Sequence, residues 1–307
     1  MNEEQNISAD FRCGYVAIIG EPNVGKSTLL NALLQQRISI VTPKAQTTRH
    51  KILGILSTEA YQMIFLDTPG IIKPKYLLQE VMMEFATSAI QDADVLFFMI
   101  DATKPGIDDD LVHAEAFGKL EGLNKPVFLL INKVDAVDKR EVLPVIDFYS
   151  KAFSFKEIFP ISALKAEGTN ELLATAAHLL PKHPPFYPLD IVSEHSERFF
   201  VSEIIREKIF LCTKEEIPYS TAVEIIEFKE REAGKTFISA EIYVERDSQK
   251  GILIGKKGAM LKEIGAKARK SIEEFLQHPV FLELHVKVQK EWRENAAALG
   301  RLGYKSQ

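Results

Sequence analysis

Residues 14–27 read GYVAIIGEPNVGKS. A short, nearly continuous apolar run leads into a glycine-bounded loop and then into a helical pattern from Lys26, an order that leaves few folds open. The loop GEPNVGKS, residues 20–27, matches G-x-x-x-x-G-K-[ST] and lies between a strand and a helix, the setting the motif requires. Gly20, Glu21, Pro22, Asn23, Val24 and Gly25 form a cradle in which backbone amides turn inward toward phosphate, reinforced by the helix N-terminus. Lys26 is then placed to reach the β- and γ-phosphates of a nucleotide, and Ser27 to ligate Mg²⁺.

The pattern around the loop predicts an α/β domain with a mostly parallel sheet. Further strands are YQMIFLD (61–67), VLFFMID (95–101) and VFLLIN (127–132), rich enough in Ile, Leu and Phe to be covered on both faces. Helical periodicity follows at 26–34, about 77–91, 108–120, 139–152 and 168–180. The stretch LLPKHPPFYPLD (179–190) holds four prolines, which remove amide donors and disfavour helix before them. We therefore expect a domain at 14–182 and a stiff, extended linker at 183–200. A second, smaller domain at 201–291 and a C-terminal tail at 292–307 complete the chain.

Three more strings decide the ligand. DTPG (67–70) ends the second apolar run; Asp67 can hold Mg²⁺ through water, the Gly70 amide can meet the γ-phosphate, and Thr68, Pro69 and the following Ile71 count with them as nucleotide-binding residues. NKVD (Asn132, Lys133, Val134, Asp135) closes another strand. Asp135 is an acceptor only, so it can bind guanine N1–H and the 2-amino group together, and adenine offers neither donor. SAL (Ser162, Ala163, Leu164) can supply a backbone amide to guanine O6. These groups follow apolar strands, where open α/β sheets bind ligands. The site is read as one for GTP. Ile71 stands after DTPG where Ras-like proteins place a water-orienting glutamine, and an isoleucine cannot hold water.

A second glycine–lysine loop, GILIGKKGAML (251–261), has a different spacing. Gly255 and Gly258 are three apart, the G-x-x-G of a KH domain, which clamps single-stranded RNA backbone. The surrounding order is helix (201–213), strand (220–231), strand (236–246), glycine loop, helix (257–276) and strand (280–288), that of a type II KH domain. Ile254, Gly255, Lys256, Lys257, Gly258, Lys262, Arg269 and Lys270 are the candidate RNA-binding residues, with Lys267 adding to the positive surface. The charge is local: residues 183–307 balance 20 Lys and Arg against 20 Asp and Glu, and 1–182 carry 18 against 23. The plainer alternative is a solvated amphipathic helix lying on a membrane.

Composition narrows the setting. The N-terminus MNEEQNISAD is too acidic and polar for a signal peptide, and the longest apolar runs are far too short to span a bilayer. With Cys13 and Cys212 as its only cysteines, the chain supports no disulfide framework or thiolate metal site and suits a reducing cytoplasm.

The order GEPNVGKS, QTTRH, DTPG, NKVD and SAL resembles the translation-factor-like GTPases, and KAQTTRHK (44–51) resembles the switch I of the Era family. With the KH order behind it, the resemblance covers essentially the whole chain. It implies that Thr48 reports the γ-phosphate through Mg²⁺, although spacing alone does not separate Thr48 from Thr47. It implies that Asn23 helps hold a potassium ion near the β,γ-bridge in place of an arginine finger; the other reading of Asn23 is a turn-stabilising side chain. It further implies a monomer that binds GTP and GDP and contacts ribosomal RNA near the 3′ end of the small ribosomal subunit. Its role would be in maturation of that subunit, with a peripheral association at the inner face of the cell membrane. The alternative from another class is a membrane-recruited switch whose second domain contacts protein or lipid. An ATP-dependent RNA enzyme is opposed by NKVD.

Overall fold

Strands apolar on both faces must be covered on both sides, and six of them form the first sheet. In the computed structural model, residues 8–106, 117–120, 122–230 and 234–304 are described. β1 (Arg12–Gly20), β2 (Ile52–Ser57), β3 (Tyr61–Asp67), β4 (Val95–Asp101), β5 (Val127–Asn132) and β6 (Glu157–Pro160) pair in the order β2-β3-β1-β4-β5-β6. All neighbours run parallel except β2, which lies antiparallel on β3. Helices α1 (Lys26–Leu34), α2 (Leu77–Asp92), α3 (Lys139–Ala152) and α4 (Thr169–Leu179) accompany this sheet. Phe65 on β3, Phe97 on β4 and Phe128 on β5 are fully buried, each worth about 1.5–3 kcal/mol of transfer free energy. The helical pattern at 108–120 falls outside the described residues but for 117–120.

β2 and β6 were not among the expected strands. β2 is an edge strand with Gly54 at its centre, which weakens the apolar pattern. A Cβ there would lie 2.6 Å from Leu34 Cδ1 and 2.9 Å from Ile38 Cδ1, so the glycine serves close packing of α1. β6 is only four residues long and half exposed.

The proline-rich stretch is no free linker. The Pro181 carbonyl accepts from Cys13 N at 3.0 Å, and His183 N donates to Phe11 O at 3.1 Å. Buried Gln62 accepts at Oε1 from the Phe186 and Tyr187 amides, 2.9 and 3.0 Å away, and donates from Nε2 to Tyr187 O at 2.9 Å. Ile55 N reaches Val192 O at 2.7 Å, and Phe186 stacks on Tyr15. Prolines cannot donate, so the residues between them bond instead, and 183–194 become a strap on the first sheet.

The chain divides into two units: one takes residues up to Ser39, Thr48–Lys73 and Met82–Glu194; the other takes Ile40–Thr47, Pro74–Val81 and the residues from His195 on. The second unit holds α5 (Glu197–Cys212), α6 (Ile217–Ser220), β7 (Ala222–Lys229), β8 (Thr236–Val244), α7 (Asp247–Ile254), α8 (Ala259–Leu276), β9 (Val280–Val288) and α9 (Ala296–Arg301). Its sheet runs β7-β8-β9, with β8 antiparallel to β7 and parallel to β9. Ile238, Ala240, Ile242 and Val244 face Ile264, Ala268 and Ile272 of α8 and Val201, Ile205 and Ile209 of α5, all fully buried. Lys44 Nζ donates to the Phe210 and Thr213 carbonyls at the C-terminus of α5, where a cation suits the helix dipole.

Two differences from the sequence reading stand out in this unit. α5 begins at Glu197, four residues before the expected start, with Ser196 accepting from Phe199 N as its cap. Residues 292–304, part of the expected tail, are anchored by buried side chains. Trp292 is fully buried, donates its indole N–H to Ser220 O at 2.9 Å and stacks on Tyr304; Leu299 is buried with it.

Candidate functional site

The first loop is shaped by glycines where nothing else fits. Gly20 has φ 145, and a Cβ on it would lie 2.3 Å from Met99 O. A Cβ on Gly25, at φ 105, would lie 2.3 Å from Asn132 Nδ2, and one on Gly70 would lie 2.6 Å from Pro22 N. The 20–27 loop, the 67–70 turn and the 132–135 turn therefore touch backbone to backbone or backbone to amide. Ile71 N donates to Gly20 O at 3.0 Å and Thr68 Oγ1 to Ile18 O at 2.9 Å, fastening DTPG beneath the loop.

Lys26 opens α1 and is 6% exposed. Its ammonium donates to the carbonyls of Gly20 at 3.1 Å and Glu21 at 2.7 Å, bridging the loop it follows. Burial lowers its pKa to about 8, against the opposing pull of Asp67 and Glu21. Ser27 Oγ lies 2.8 Å from Thr48 Oγ1 and donates to Asp67 Oδ2 at 2.7 Å. Ser39 Oγ donates to the same oxygen at 2.9 Å. Asp67 Oδ1 is buried without a hydrogen-bond partner among the described residues. Burial raises the Asp67 carboxyl above the usual carboxylate range, the Ser27 and Ser39 hydroxyls and the Lys26 charge working against it. Thr47 Oγ1 is engaged elsewhere, 2.6 Å from Thr42 Oγ1 and donating to Lys44 O at 2.8 Å.

Asn132 joins three of the four strings. Its Nδ2 donates to Val24 O at 2.7 Å, and its Oδ1 accepts from Ala163 N at 2.9 Å. Val134 N bonds Ile161 O at 3.3 Å, and Ser162 and Glu167 exchange backbone bonds of 3.1 and 3.0 Å. Asp135 sits half-exposed beyond this frame, Asn23 lies exposed at φ 66, and Leu164 is 79% exposed. Ile71 is 6% exposed and packs into the core, so its side chain meets no solvent.

The second loop joins two helices, the first of which the sequence reading missed. α7 is held by Gln249 Oε1, which accepts from Glu245 N at 2.9 Å and Arg246 N at 3.1 Å. Gly255 has φ 73, and a Cβ there would lie 2.8 Å from Met260 Cβ; Gly258 has φ 79 and Lys257 φ 52. A groove of about 440 Å³ opens beside the loop, lined by Gly258, Leu261, Lys262, Gly265, Arg269 and Leu284, among others. Leu261 and Leu284 are thus partly presented at the surface, beside Gly265.

The positive surface is narrower than the sequence suggested. Lys267 pairs with Glu263 at 2.7 Å, one helical turn back, and Arg269 with Glu273 at 3.1 Å and Lys270 with Glu274 at 4.0 Å, each one turn on. Acids placed at i+4 or i−4 on an exposed helix neutralise their partners locally. No ion pair among the described residues involves Lys256, Lys257 or Lys262. The apolar face of α8 is committed to the core through Ile264, Ala268 and Ile272, which removes it as a surface for lying on lipid.

Known proteins match both halves. Residues 15–133 match the family described as 50S ribosome-binding GTPase, and 216–293 match the KH domain. GTPase Era of Geotalea daltonii is 47% identical over 305 residues, covering 99% of this chain and 100% of that protein. GTPase Era of Lacticaseibacillus paracasei is 46% identical over 297 residues, covering 96% and 98%. Among solved structures, an Aquifex aeolicus Era variant bound to GDP and AlF₄⁻ matches with TM-score 0.92 and 44% identity, over 96% of this chain and all of that one. Era in complex with MgGDPNP and nucleotides 1506–1542 of 16S ribosomal RNA matches with TM-score 0.91 and 44% identity at the same coverage. With near-complete coverage and both domains in family order, the chain belongs to the Era family of GTPases.

Proposed function

We propose that the protein is a GTP-driven switch that binds single-stranded ribosomal RNA near the 3′ end of the small-subunit RNA and acts in maturation of that subunit. The observation that carries the GTP half is the meeting of Ser27, Thr48 and Asp67 oxygens within 2.8 Å, beside a buried Asp67 Oδ1 that lacks a partner among the described residues. Clustered hydroxyl and carboxylate oxygens fit a hard cation such as Mg²⁺. Ser27 and Thr48 would ligate it, and Asp67 would hold it through water. When bound, Mg²⁺ draws negative charge from the β- and γ-phosphates.

The chain's own groups supply the rest. Lys26 leaves the carbonyls of Gly20 and Glu21 for the phosphates, its charge restored in full by their negative field. The loop amides and the Gly70 amide hold the γ-phosphoryl oxygens as charge develops on them. Asp135 takes guanine N1–H and the 2-amino group, and the SAL loop faces O6. Asn23, beside the triphosphate, would hold potassium, which would supply the charge of an arginine finger. RNA backbone lies along Lys256, Lys257 and Lys262 with bases in the neighbouring groove, and a relative solved with nucleotides 1506–1542 of 16S ribosomal RNA supports RNA as the class of ligand. We place the protein in the cytoplasm as a monomer. No helix among the described residues is long and apolar enough to cross a membrane. A peripheral association would rest on Lys256, Lys257 and Lys262, which form no ion pair among the described residues.

Binding of labelled RNA copying the 3′ end of small-subunit RNA, compared with anionic vesicles, tests the reading in GTP analogue and in GDP. We expect RNA binding that depends on the nucleotide. Vesicle binding without RNA binding would overturn it in favour of the membrane-recruited switch.

A further inference from the structure

The topology puts one strand end between the two loops of the GTP site. In the order β1-β4-β5, the phosphate loop leaves β1 and the base loop leaves β5, so the C-terminus of β4 lies between them. That terminus is Asp101, paired in register with Asn132, and Ala102 N donates to Asn132 O at 2.8 Å.

Asp101's carboxylate is held on both oxygens. Oδ1 accepts from Thr103 N at 2.9 Å and Thr103 Oγ1 at 2.7 Å, and Oδ2 accepts from Lys133 Nζ at 2.5 Å. The same ammonium donates to Asn23 O in the phosphate loop at 2.8 Å. Two consecutive base-loop side chains, Asn132 and Lys133, thus hold two consecutive phosphate-loop carbonyls, Val24 and Asn23. Lys133 adopts φ 66, a left-handed conformation uncommon for residues with a Cβ. That backbone begins the single 3₁₀ turn Val134–Ala136, which contains Asp135. The Asp101 side chain is 13% exposed, that of Lys133 36%. Burial works to raise the Asp101 carboxyl, but the bonds from Lys133 and Thr103 outweigh it and leave it below the usual range.

We propose that Asp101 is a positioning residue for nucleotide retention: it holds Lys133 so that one ammonium locks the base loop onto the Asn23 carbonyl of the phosphate loop. Asp101's role is exerted through Lys133, the cation it holds. The inference rests on the reading that 132–135 hold guanine. It predicts that loosening Asp101 speeds release of GTP and GDP by the same factor, since both share base and phosphate-loop contacts. Base choice stays with Asp135 and is unaffected.

The test is release of fluorescently labelled GDP and a labelled GTP analogue from the full chain, chased with unlabelled nucleotide. Asp101→Asn should speed both releases about ten-fold, the size of one charge-assisted hydrogen bond. KM for GTP should rise while kcat at saturation changes by less than about two-fold, because the γ-phosphoryl contacts are untouched. Lys133→Met, which keeps the apolar stem, should have a similar effect, and the double variant should add nothing to either. Thr103→Val keeps the exposed backbone donor and removes only the hydroxyl. It should speed release a few-fold, and it answers the question if Asp101→Asn fails to fold. Release within two-fold of wild type in the single variants, or additive losses in the double, would overturn the inference. Asp135→Asn is the separate control: if it leaves guanine preference unchanged, the underlying reading of 132–135 fails, whatever Asp101 does.

Discussion

The two glycine–lysine loops solve the same electrostatic problem in opposite ways. In residues 20–27 the lysine is the first residue of α1, 6% exposed and bonded to two carbonyls of its own loop. In residues 255–258 the two lysines are part of the loop itself, exposed and outside any ion pair among the described residues. Burial makes the first charge expensive and strong, suited to one ligand of fixed size that replaces the carbonyls. Exposure makes the second pair cheap and salt-sensitive, suited to a polymer whose phosphates arrive in register. Glycines serve both, but in the first loop they admit neighbouring segments, whereas around Gly258 there is open space.

The largest test of this contrast is at the base end of the buried site. If Asp135 reads guanine as proposed, Asp135→Asn removes two charge-assisted bonds to it, and GTP affinity should fall by about a hundred-fold or more. Xanthosine triphosphate, whose 2-oxo group accepts from the new amide, should become the better ligand in a competition assay. Unchanged guanine preference would place base recognition elsewhere.

At the exposed loop, Lys256→Asp with Lys257→Asp reverses two charges without touching the core. RNA affinity should fall by about ten- to a hundred-fold at moderate salt, with a shallower salt dependence. Intrinsic GTP hydrolysis should stay near wild type. RNA binding that survives would return residues 255–258 to the status of a structural turn, and the contrast between the loops would disappear.

The difference in burial also explains how far each region could be read in advance. The phosphate-loop strings were legible because close backbone packing demands given residue types at given spacings: a glycine where Met99 O or Pro22 N leaves no room. Long-range packing leaves no such trace. β2 is hidden by Gly54, whose reason lies on α1. The strap at 183–194 looked like a linker because its donors go to one buried side chain, Gln62, over a hundred residues away. The packed C-terminus was announced only by the single tryptophan in a polar stretch. At the RNA loop, lysines could be counted, but pairing with Glu263, Glu273 and Glu274 had to be seen to know which are available.

A buried lysine with a lowered pKa gives the first site a pH signature that the second lacks. Below about pH 8 Lys26 carries its charge in the empty site, and phosphate binds without taking up a proton. Above that value the empty site is neutral, and phosphate, which favours the charged form, must bind together with a proton. Nucleotide affinity should therefore fall as pH rises above about 8, approaching ten-fold per unit. The measurement stays below the range where guanine N1–H titrates. Calorimetry in two buffers of different ionisation enthalpy should show more proton uptake on binding at pH 8.5 than at pH 7. Flat affinity with no uptake would mean that Lys26 keeps its charge in the empty site. RNA binding through exposed Lys256 and Lys257 should show no such step.

The smallest expected effects concern how GTP is cut without a glutamine. Hydrolysis should run several-fold faster in potassium than in sodium, and Asn23→Ala should erase that difference while nucleotide still binds. Equal rates in both salts for the wild type would leave Asn23 as a turn residue at φ 66. Ile71 is the sharper case, because its position invites a catalytic reading that its burial opposes. At 6% exposure, packed in the core and bonded through its amide to Gly20 O, it can neither hold the attacking water nor meet the phosphate with its side chain. Ile71→Ala should cost about 2–4 kcal/mol of stability through the cavity it leaves. Single-turnover hydrolysis, measured well below the variant's melting temperature, should change by no more than a few-fold. A loss of a hundred-fold or more in folded protein would show that the side chain sets the position of the Gly70 amide or the attacking water. The buried loop would then owe its catalysis to apolar packing as well as to charge.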